Sequence, residues 1–172
     1  LTFSSWMGGD RDGNPNVTAK TTEEVILLSR WQAASLYEKE FTKLIENLSL
    51  HECSKKIKKI VGITREPYRV FLRPIRNKLI ETQNEIEQCL KENRKPKRSL
   101  LVRSINEILE PLMDIYDSLC FIKCEIIANG IVLDLIRRVY TFGLNLAKLD
   151  IRQESARHSK LINSVCKKLG MS

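Results

Sequence analysis

The segment LNLAKLDIRQES, residues 144–155, decides the fold class, because apolar and polar side chains alternate in it after a long run of helical periodicity. Alternation of this kind is typical of a β-strand, and it predicts a short one near residues 146–152. A single buried strand cannot form a sheet by itself. We therefore expect this strand either to be an exposed edge or to pair with strands outside this chain.

Most of the remaining sequence predicts amphipathic helices, whose apolar residues recur with a period of 3.6. Thr18 or Thr21 can cap the first helix, and Thr21 with Glu24 has the spacing of a capping box. The dipeptide NG at 129–130 predicts a turn. The first predicted helix runs from its threonine cap to about residue 48. The others cover about 54–61, 67–93, 104–128 (interrupted by Pro111), 131–143 and 155–169.

Composition limits the function classes. The chain has 172 residues, which is the size of one domain, and 7 glycines and 5 prolines are too few for an all-β protein. A net charge of +8 permits nucleic acid, a membrane surface or anionic metabolites as partners. The basic residues are dispersed among acidic ones and RKPKRS (94–99) lacks interleaved aromatics, which disfavours nucleic acid. No apolar run is long enough to span a membrane.

The cysteines number five, an odd count with irregular spacing, and both histidines are distant from the one close pair. We expect reduced thiols in a cytoplasmic protein and no zinc site. The chain opens on Leu1 in a segment that resembles a strand already under way, so we expect a piece of something longer.

The stretch WMGGDRDGNPNVT, residues 6–18, is the first candidate site. It lacks the lysine and hydroxyl of a phosphate-binding P-loop, the middle glycine of a dinucleotide fingerprint, and the glycine of a calcium loop. Its glycines permit positive φ and close approach to a ligand, and its charged residues can lock the loop by internal hydrogen bonds. The alternative is a tight structural turn before a capped helix. The supporting residues are Gly8, Gly9, Asp10, Arg11, Asp12 and Gly13.

Arg152, at the end of the predicted strand, is the second candidate. If the strand belongs to a parallel barrel, its carboxyl end faces the active site. The planar guanidinium group suits a phosphate or carboxylate. The alternative is a salt bridge to Glu154 or to another strand.

Several motifs together resemble the phosphoenolpyruvate carboxylase family. FSSWMGGDRDGNPNVT (3–18) and LDIRQESARH (149–158) are long and specific, whereas LLSRW (27–31), EPYR (66–69), IIANG (126–130) and LIRRV (135–139) are looser matches in the same order. The resemblance covers nearly the whole chain. It implies an internal piece of a much longer protein, divided into an active-site loop (1–17), helices (18–143) and a barrel strand plus helix (144–172).

That resemblance implies a reaction and a place for two residues in it. Phosphoenolpyruvate and bicarbonate would form oxaloacetate and phosphate through carboxyphosphate and an enolate, which feeds the tricarboxylic acid cycle and fixes carbon dioxide. Arg152 matches an arginine that holds the substrate's phosphate or carboxylate, so it is the expected catalytic and substrate-binding residue. Trp6 matches a tryptophan beside the substrate's methylene carbon and is expected to bind substrate and keep water away.

The resemblance also implies Mg²⁺ or Mn²⁺ with ligands outside this chain, a cytoplasmic location and a homotetramer. The family's TAHPT and GYSDS motifs do not occur here, so we expect the chain alone to be inactive as a lyase. A basic helical binding domain or a helical scaffold without catalysis is the competing hypothesis.

Overall fold

A computed structural model of the chain describes residues 3–170. Most of these residues are helical, and two short strands lie far apart in sequence. The elements are β1 (Ser4–Ser5), α1 (Ala19–Asn47), α2 (Lys55–Val61), α3 (Pro67–Lys91), a 3-10 turn (Arg98–Leu100), α4 (Asn106–Phe121), α5 (Glu125–Ile127), a π-helical segment (Ala128–Val132), α6 (Leu133–Phe142), β2 (Lys148–Leu149) and α7 (Ser155–Lys168).

Helices α1 and α3 form the most extensive helix–helix contact of the fold, and α4 and α6 complete the core around them. Helix α1 is capped by Thr18, whose side chain accepts a hydrogen bond from the N–H of Thr21. The capping box therefore uses Thr18 and Thr21, one turn earlier than the Thr21–Glu24 alternative. The core is almost entirely aliphatic, with Phe41 and Tyr68 as its largest fully buried side chains.

The connection between α4 and α6 differs from the sequence prediction. Helix α4 ends at Phe121 instead of near 128, and Pro111 lies inside it without ending it. The NG dipeptide does not form a turn that separates two helices. It lies in the π-helical segment, where Gly130 leaves helical geometry (φ −87°, ψ −109°) and the chain continues directly into α6. Glycine allows such a local break without ending the helix, because it has no Cβ.

The predicted strand at 146–152 is present, but it is shorter and its partner lies within this chain. Strand β2 pairs in parallel with β1, with Ser4 opposite Lys148 and Ser5 opposite Leu149. An isolated bridge between Asp10 and Arg152 extends the pairing. Both expected alternatives, an exposed edge or an outside partner, missed this pairing, because periodicity along one segment identifies a strand without identifying its neighbour.

Tyr37 connects the helical core to this strand pair. Its hydroxyl donates a 2.6 Å hydrogen bond to the carbonyl of Gly143, at the end of α6, and burial raises the pKa of Tyr37 to about 12. This hydrogen bond fixes the main chain at Gly143, a short distance before β2. The strand pair itself packs beside α1, around a cavity of about 680 Å³ whose lining is mostly apolar.

Helix α7 buries none of its residues. Its apolar side chains Leu161, Ile162 and Val165 are exposed, as is Leu169 directly after it. All five cysteines are free thiols. Between residues 3 and 170, no helix combines the length and apolar character that crossing a membrane requires.

Candidate functional site

The glycine-rich loop is folded against the end of β2. The carbonyl of Trp6 accepts hydrogen bonds from the N–H groups of Gly9 (2.8 Å) and Asp10 (3.1 Å), which closes a tight turn directly after β1. The N–H of Arg152 donates to the carbonyl of Gly9 (2.9 Å), and the carbonyl of Arg152 accepts from the backbone N–H of Arg11 (3.1 Å). Main-chain hydrogen bonds therefore hold the loop against Arg152, in addition to the side-chain contacts described below.

Two of the glycines are required by this packing. Gly8 has φ +75°, a conformation that L-residues rarely adopt, and a Cβ there would lie 2.5 Å from Val25 Cγ2. A Cβ on Gly9 would lie 2.2 Å from the carbonyl oxygen of Asp150. The loop and the end of β2 can approach this closely only because position 9 has no side chain.

Trp6 and Arg152 are in direct contact. The guanidinium carbon of Arg152 lies 4.0 Å from the centroid of the Trp6 ring, which is a cation–π arrangement. Asp150 binds both residues, because its Oδ2 accepts from the indole Nε1 at 3.1 Å and lies 3.8 Å from Arg152 Nη2. The alternative that Arg152 forms a salt bridge with Glu154 is wrong, because its guanidinium group pairs with Asp150.

Arg11 is held by a threonine of α1. Its Nη2 donates to Thr22 Oγ1 at 2.7 Å, and the same hydroxyl donates to the carbonyl of Gly8 at 2.8 Å. The expectation that Asp10, Arg11 and Asp12 lock the loop among themselves is therefore only partly correct. Asp10 Oδ1 accepts from the N–H of Asp12, whereas the guanidinium group of Arg11 turns towards the helix.

The surface formed by Trp6 and Arg152 is open. Half of the Arg152 side chain is exposed. Within residues 3–170, its guanidinium group donates no hydrogen bond, and its ion pair with Asp150 is 3.8 Å long. Trp6 lies on one side of the guanidinium group, and the rest of that group has no hydrogen-bond acceptor among the described residues. An arginine oriented in this way can bind a phosphate or carboxylate through two parallel hydrogen bonds.

The structure thus brings together Trp6, Gly9, Asp10 and Arg152, while Asp12 and Gly13 lie on the exposed outer part of the loop. Sequence reasoning missed Asp150 and Thr22. Asp150 could have been found from its place two residues before Arg152, on the same side of a strand. Nothing in the sequence marks Thr22 as the residue that connects the loop to α1.

The residues of this site do not form a metal centre. Within the part of the chain that the structure describes, no three His, Cys, Asp or Glu side chains are grouped as metal ligands. Asp10 is engaged by a backbone N–H and Asp150 by the indole of Trp6.

The carboxyl ends of two parallel strands meet here, and they carry an arginine with unused donors beside an indole. This arrangement defines the class: a mostly helical protein segment with an exposed arginine beside an indole at the ends of two parallel strands. A family model described as phosphoenolpyruvate carboxylase matches residues 1–172. The chain therefore belongs to the phosphoenolpyruvate carboxylase family.

Curated relatives agree with this assignment. The chain is 47% identical over 169 residues to the phosphoenolpyruvate carboxylase of Hahella chejuensis, covering 98% of this chain and 19% of that protein. The corresponding enzyme of Psychromonas ingrahamii is 44% identical (99% and 20% covered), and that of Klebsiella pneumoniae is 45% identical (98% and 19% covered). The chain thus spans about a fifth of the length of these relatives.

Proposed function

We propose that this chain supplies one wall of the active site of a phosphoenolpyruvate carboxylase. In the proposed reaction, a bicarbonate oxygen attacks the phosphorus of phosphoenolpyruvate, and the bond from phosphorus to the enol oxygen breaks. The products are carboxyphosphate and the enolate of pyruvate. Carboxyphosphate releases CO₂ and phosphate, and the enolate carbon forms a bond with CO₂ to give oxaloacetate.

Arg152 would bind the anionic part of the substrate. The observation that carries the proposal is its contact with Trp6 at the carboxyl ends of β1 and β2, which orients the guanidinium group while leaving its N–H donors unused. A donor fixed before the reaction stabilises developing negative charge without reorganisation during it. Asp150 limits the rotation of both side chains through its contacts with them.

Trp6 would shield the enolate. A proton from water on the enolate carbon gives pyruvate instead of oxaloacetate, so the site must exclude water while CO₂ is present. The indole offers an apolar face on the same surface as Arg152. In the chain as described, Trp6 is 54% exposed, so this shielding needs substrate or further protein above the ring.

The glycine loop would have a supporting role. Gly8 and Gly9 permit its close packing against Val25 and Asp150, and Arg11 connects it to α1 through Thr22. We further propose that the divalent cation implied by the family, Mg²⁺ or Mn²⁺, binds to ligands elsewhere in the enzyme. On the same basis the family's tetrameric assembly is a proposal for the whole enzyme.

The test is a full-length phosphoenolpyruvate carboxylase, such as that of Klebsiella pneumoniae, in which residues 1–172 of this chain replace the matching segment. Oxaloacetate formation is followed with a coupled dehydrogenase. We expect Arg152→Gln to lower kcat/KM at least about 100-fold, as loss of one charge-stabilising donor commonly does. Arg152→Lys should recover little, because lysine lacks the planar pair of donors.

Arg157→Gln is the matched control, since Arg157 is an exposed arginine on α7. It should change kcat/KM less than about twofold. An Arg152→Gln enzyme with the same activity as the Arg157→Gln enzyme would contradict the proposal. The 172-residue chain by itself should form no oxaloacetate.

A further inference from the structure

A second cationic surface lies away from Trp6 and Arg152, in a cavity of about 470 Å³ between α1 and the segment that follows α3. That volume is in the range of small-molecule sites. Four of the lining residues are cationic and one is acidic. The lining consists of Glu23, Leu27, Arg30, Lys95, Pro96, Arg98, Leu101 and Arg103.

The cations of this cavity are only partly balanced, by Glu23 in the lining and Glu107 near Arg30. Among residues 3–170, none of the four forms an ion pair, whereas Arg69 and Arg94, for example, do. Like charges in one concavity repel each other, and solvent screens them less than on a convex surface. Such a cavity therefore favours an anion that would occupy it.

Arg30 lines the cavity and is partly buried. Its Nη2 donates to the carbonyl of Val102, and its Nε is buried without any hydrogen-bond acceptor. Burial lowers the pKa of Arg30, and the nearby carboxylate of Glu107 opposes this only partly. A buried donor without a partner costs free energy, which an acceptor oxygen in the cavity could recover.

The segment that carries the other three cations is held in place at both ends. The carboxylate of Glu85, only 2% exposed, accepts hydrogen bonds from Arg94 and from the N–H of Lys97 (2.7 Å). At the other end, Thr82 Oγ1 accepts from the N–H of Val102 at 2.9 Å. The segment RKPKRS is thus a fixed rim of the cavity.

We propose that this cavity binds a small phosphate-bearing anion, a phosphate ester or diphosphate. The anion would lie between Arg30 of α1 and the two arginines Arg98 and Arg103 of the segment that follows α3. Two or more negative charges and several acceptor oxygens match three arginines and a lysine better than one carboxylate does. The proposal is independent of the activity assigned to Arg152, because the two surfaces share no residue.

The test uses the full-length enzyme that carries residues 1–172 of this chain, with Arg152→Gln to remove the first cationic surface, and pyrophosphate as the probe. Isothermal titration calorimetry, without divalent cations, compares pyrophosphate with sodium chloride at matched ionic strength. We expect saturable binding of pyrophosphate and none of chloride. Arg98→Gln with Arg103→Gln should weaken binding about tenfold or more.

Lys55→Gln with Lys59→Gln is the matched control, because it removes two charges from exposed positions on α2. Its affinity for pyrophosphate should stay within about twofold of the original. Equal weakening in both double variants would overturn the proposal, since it would show unspecific attraction to net charge. Pyrophosphate binding that is unchanged in Arg98→Gln with Arg103→Gln would overturn it too.

Discussion

The indole of Trp6 and the guanidinium group of Arg152 are stacked at 4.0 Å, although about 145 residues separate them in the sequence. The contact exists because β1 and β2 are parallel, so the residues that follow both strands leave the sheet at the same edge. Asp150 then fixes the indole by a hydrogen bond of 3.1 Å. Each residue of the pair therefore restricts the other, and a substitution of either changes the surface that both present.

Trp6→Ala should change the products of the full-length enzyme more than its turnover. Without the indole, water reaches the enolate carbon, so the ratio of pyruvate to oxaloacetate should rise at least about tenfold. The two products are separated with dehydrogenases specific for each. Met7→Ala is the control, because Met7 is 76% exposed in the same loop, and its product ratio should be unchanged. A constant ratio in Trp6→Ala would remove the shielding role.

Gly9→Ala should separate the loop from β2. The new methyl group would lie 2.2 Å from the carbonyl oxygen of Asp150, so the main chain must move by more than an ångström. We expect the amides of Lys148, Asp150 and Arg152 to lose protection in hydrogen exchange, at a cost of about 2 kcal/mol.

Gly13→Ala is the control for that substitution. Gly13 has positive φ (+66°), which Gly9 does not, but no atom lies within 4 Å of its ideal Cβ position. The strain of positive φ costs about 1 kcal/mol and stays local. The amides of β2 should therefore keep their protection. Equal loss in both variants would show that any alanine in this loop loosens β2, and that the close approach of Gly9 to Asp150 is not the cause.

The helices of this protein follow from its sequence because their signals are local. The apolar period of 3.6, the cap at Thr18, the stop at Gly62 and the first-turn proline at Pro67 all lie within a few residues of the boundaries that they set. The break after Phe121 was missed because the apolar period continues through it, whereas the backbone does not.

The site could be predicted only in part. Family motifs single out Trp6 and Arg152, but their contact depends on a strand pairing between distant segments, which one sequence does not reveal. Thr22 was missed for a different reason. On a helix, a threonine at a buried position is compatible with the core, and only the packed loop shows that its hydroxyl serves Arg11 and Gly8.

Thr22→Val should loosen the glycine loop without disturbing α1. Valine has the same shape as threonine but leaves Arg11 Nη2 and the carbonyl of Gly8 without their partner. We expect a loss of about 1–2 kcal/mol, with faster exchange at the amides of Gly9 and Asp10. Thr141→Val is the control, since the Thr141 hydroxyl bonds only to Arg137 of its own exposed helix face. Equal exchange in the two variants would contradict the connection to Arg11.

Glu85 should make the end of α3 sensitive to acid. Hydrogen bonds from Arg94, and next from the N–H of Lys97, lower the pKa of Glu85 from its usual 4.5 to about 2. Because the pKa is lower in the folded state, the stabilisation from Glu85 is fully present above pH 4.5 and is lost as the pH falls towards 2.

Glu85→Gln should therefore lower the free energy of unfolding by about 3 kcal/mol at pH 7, because Arg94 loses a buried anionic partner. The difference from the original protein should shrink as the pH falls from 4.5 towards 2, since protonated Glu85 resembles glutamine. Urea denaturation at pH 7, 4 and 3 measures it. Glu81→Gln removes an exposed carboxylate of the same helix, paired with Lys78, and should cost less than about 0.5 kcal/mol throughout. A difference for Glu85→Gln that does not vary with pH would mean that the carboxylate charge contributes nothing, and that shape alone fixes the rim of the cationic cavity.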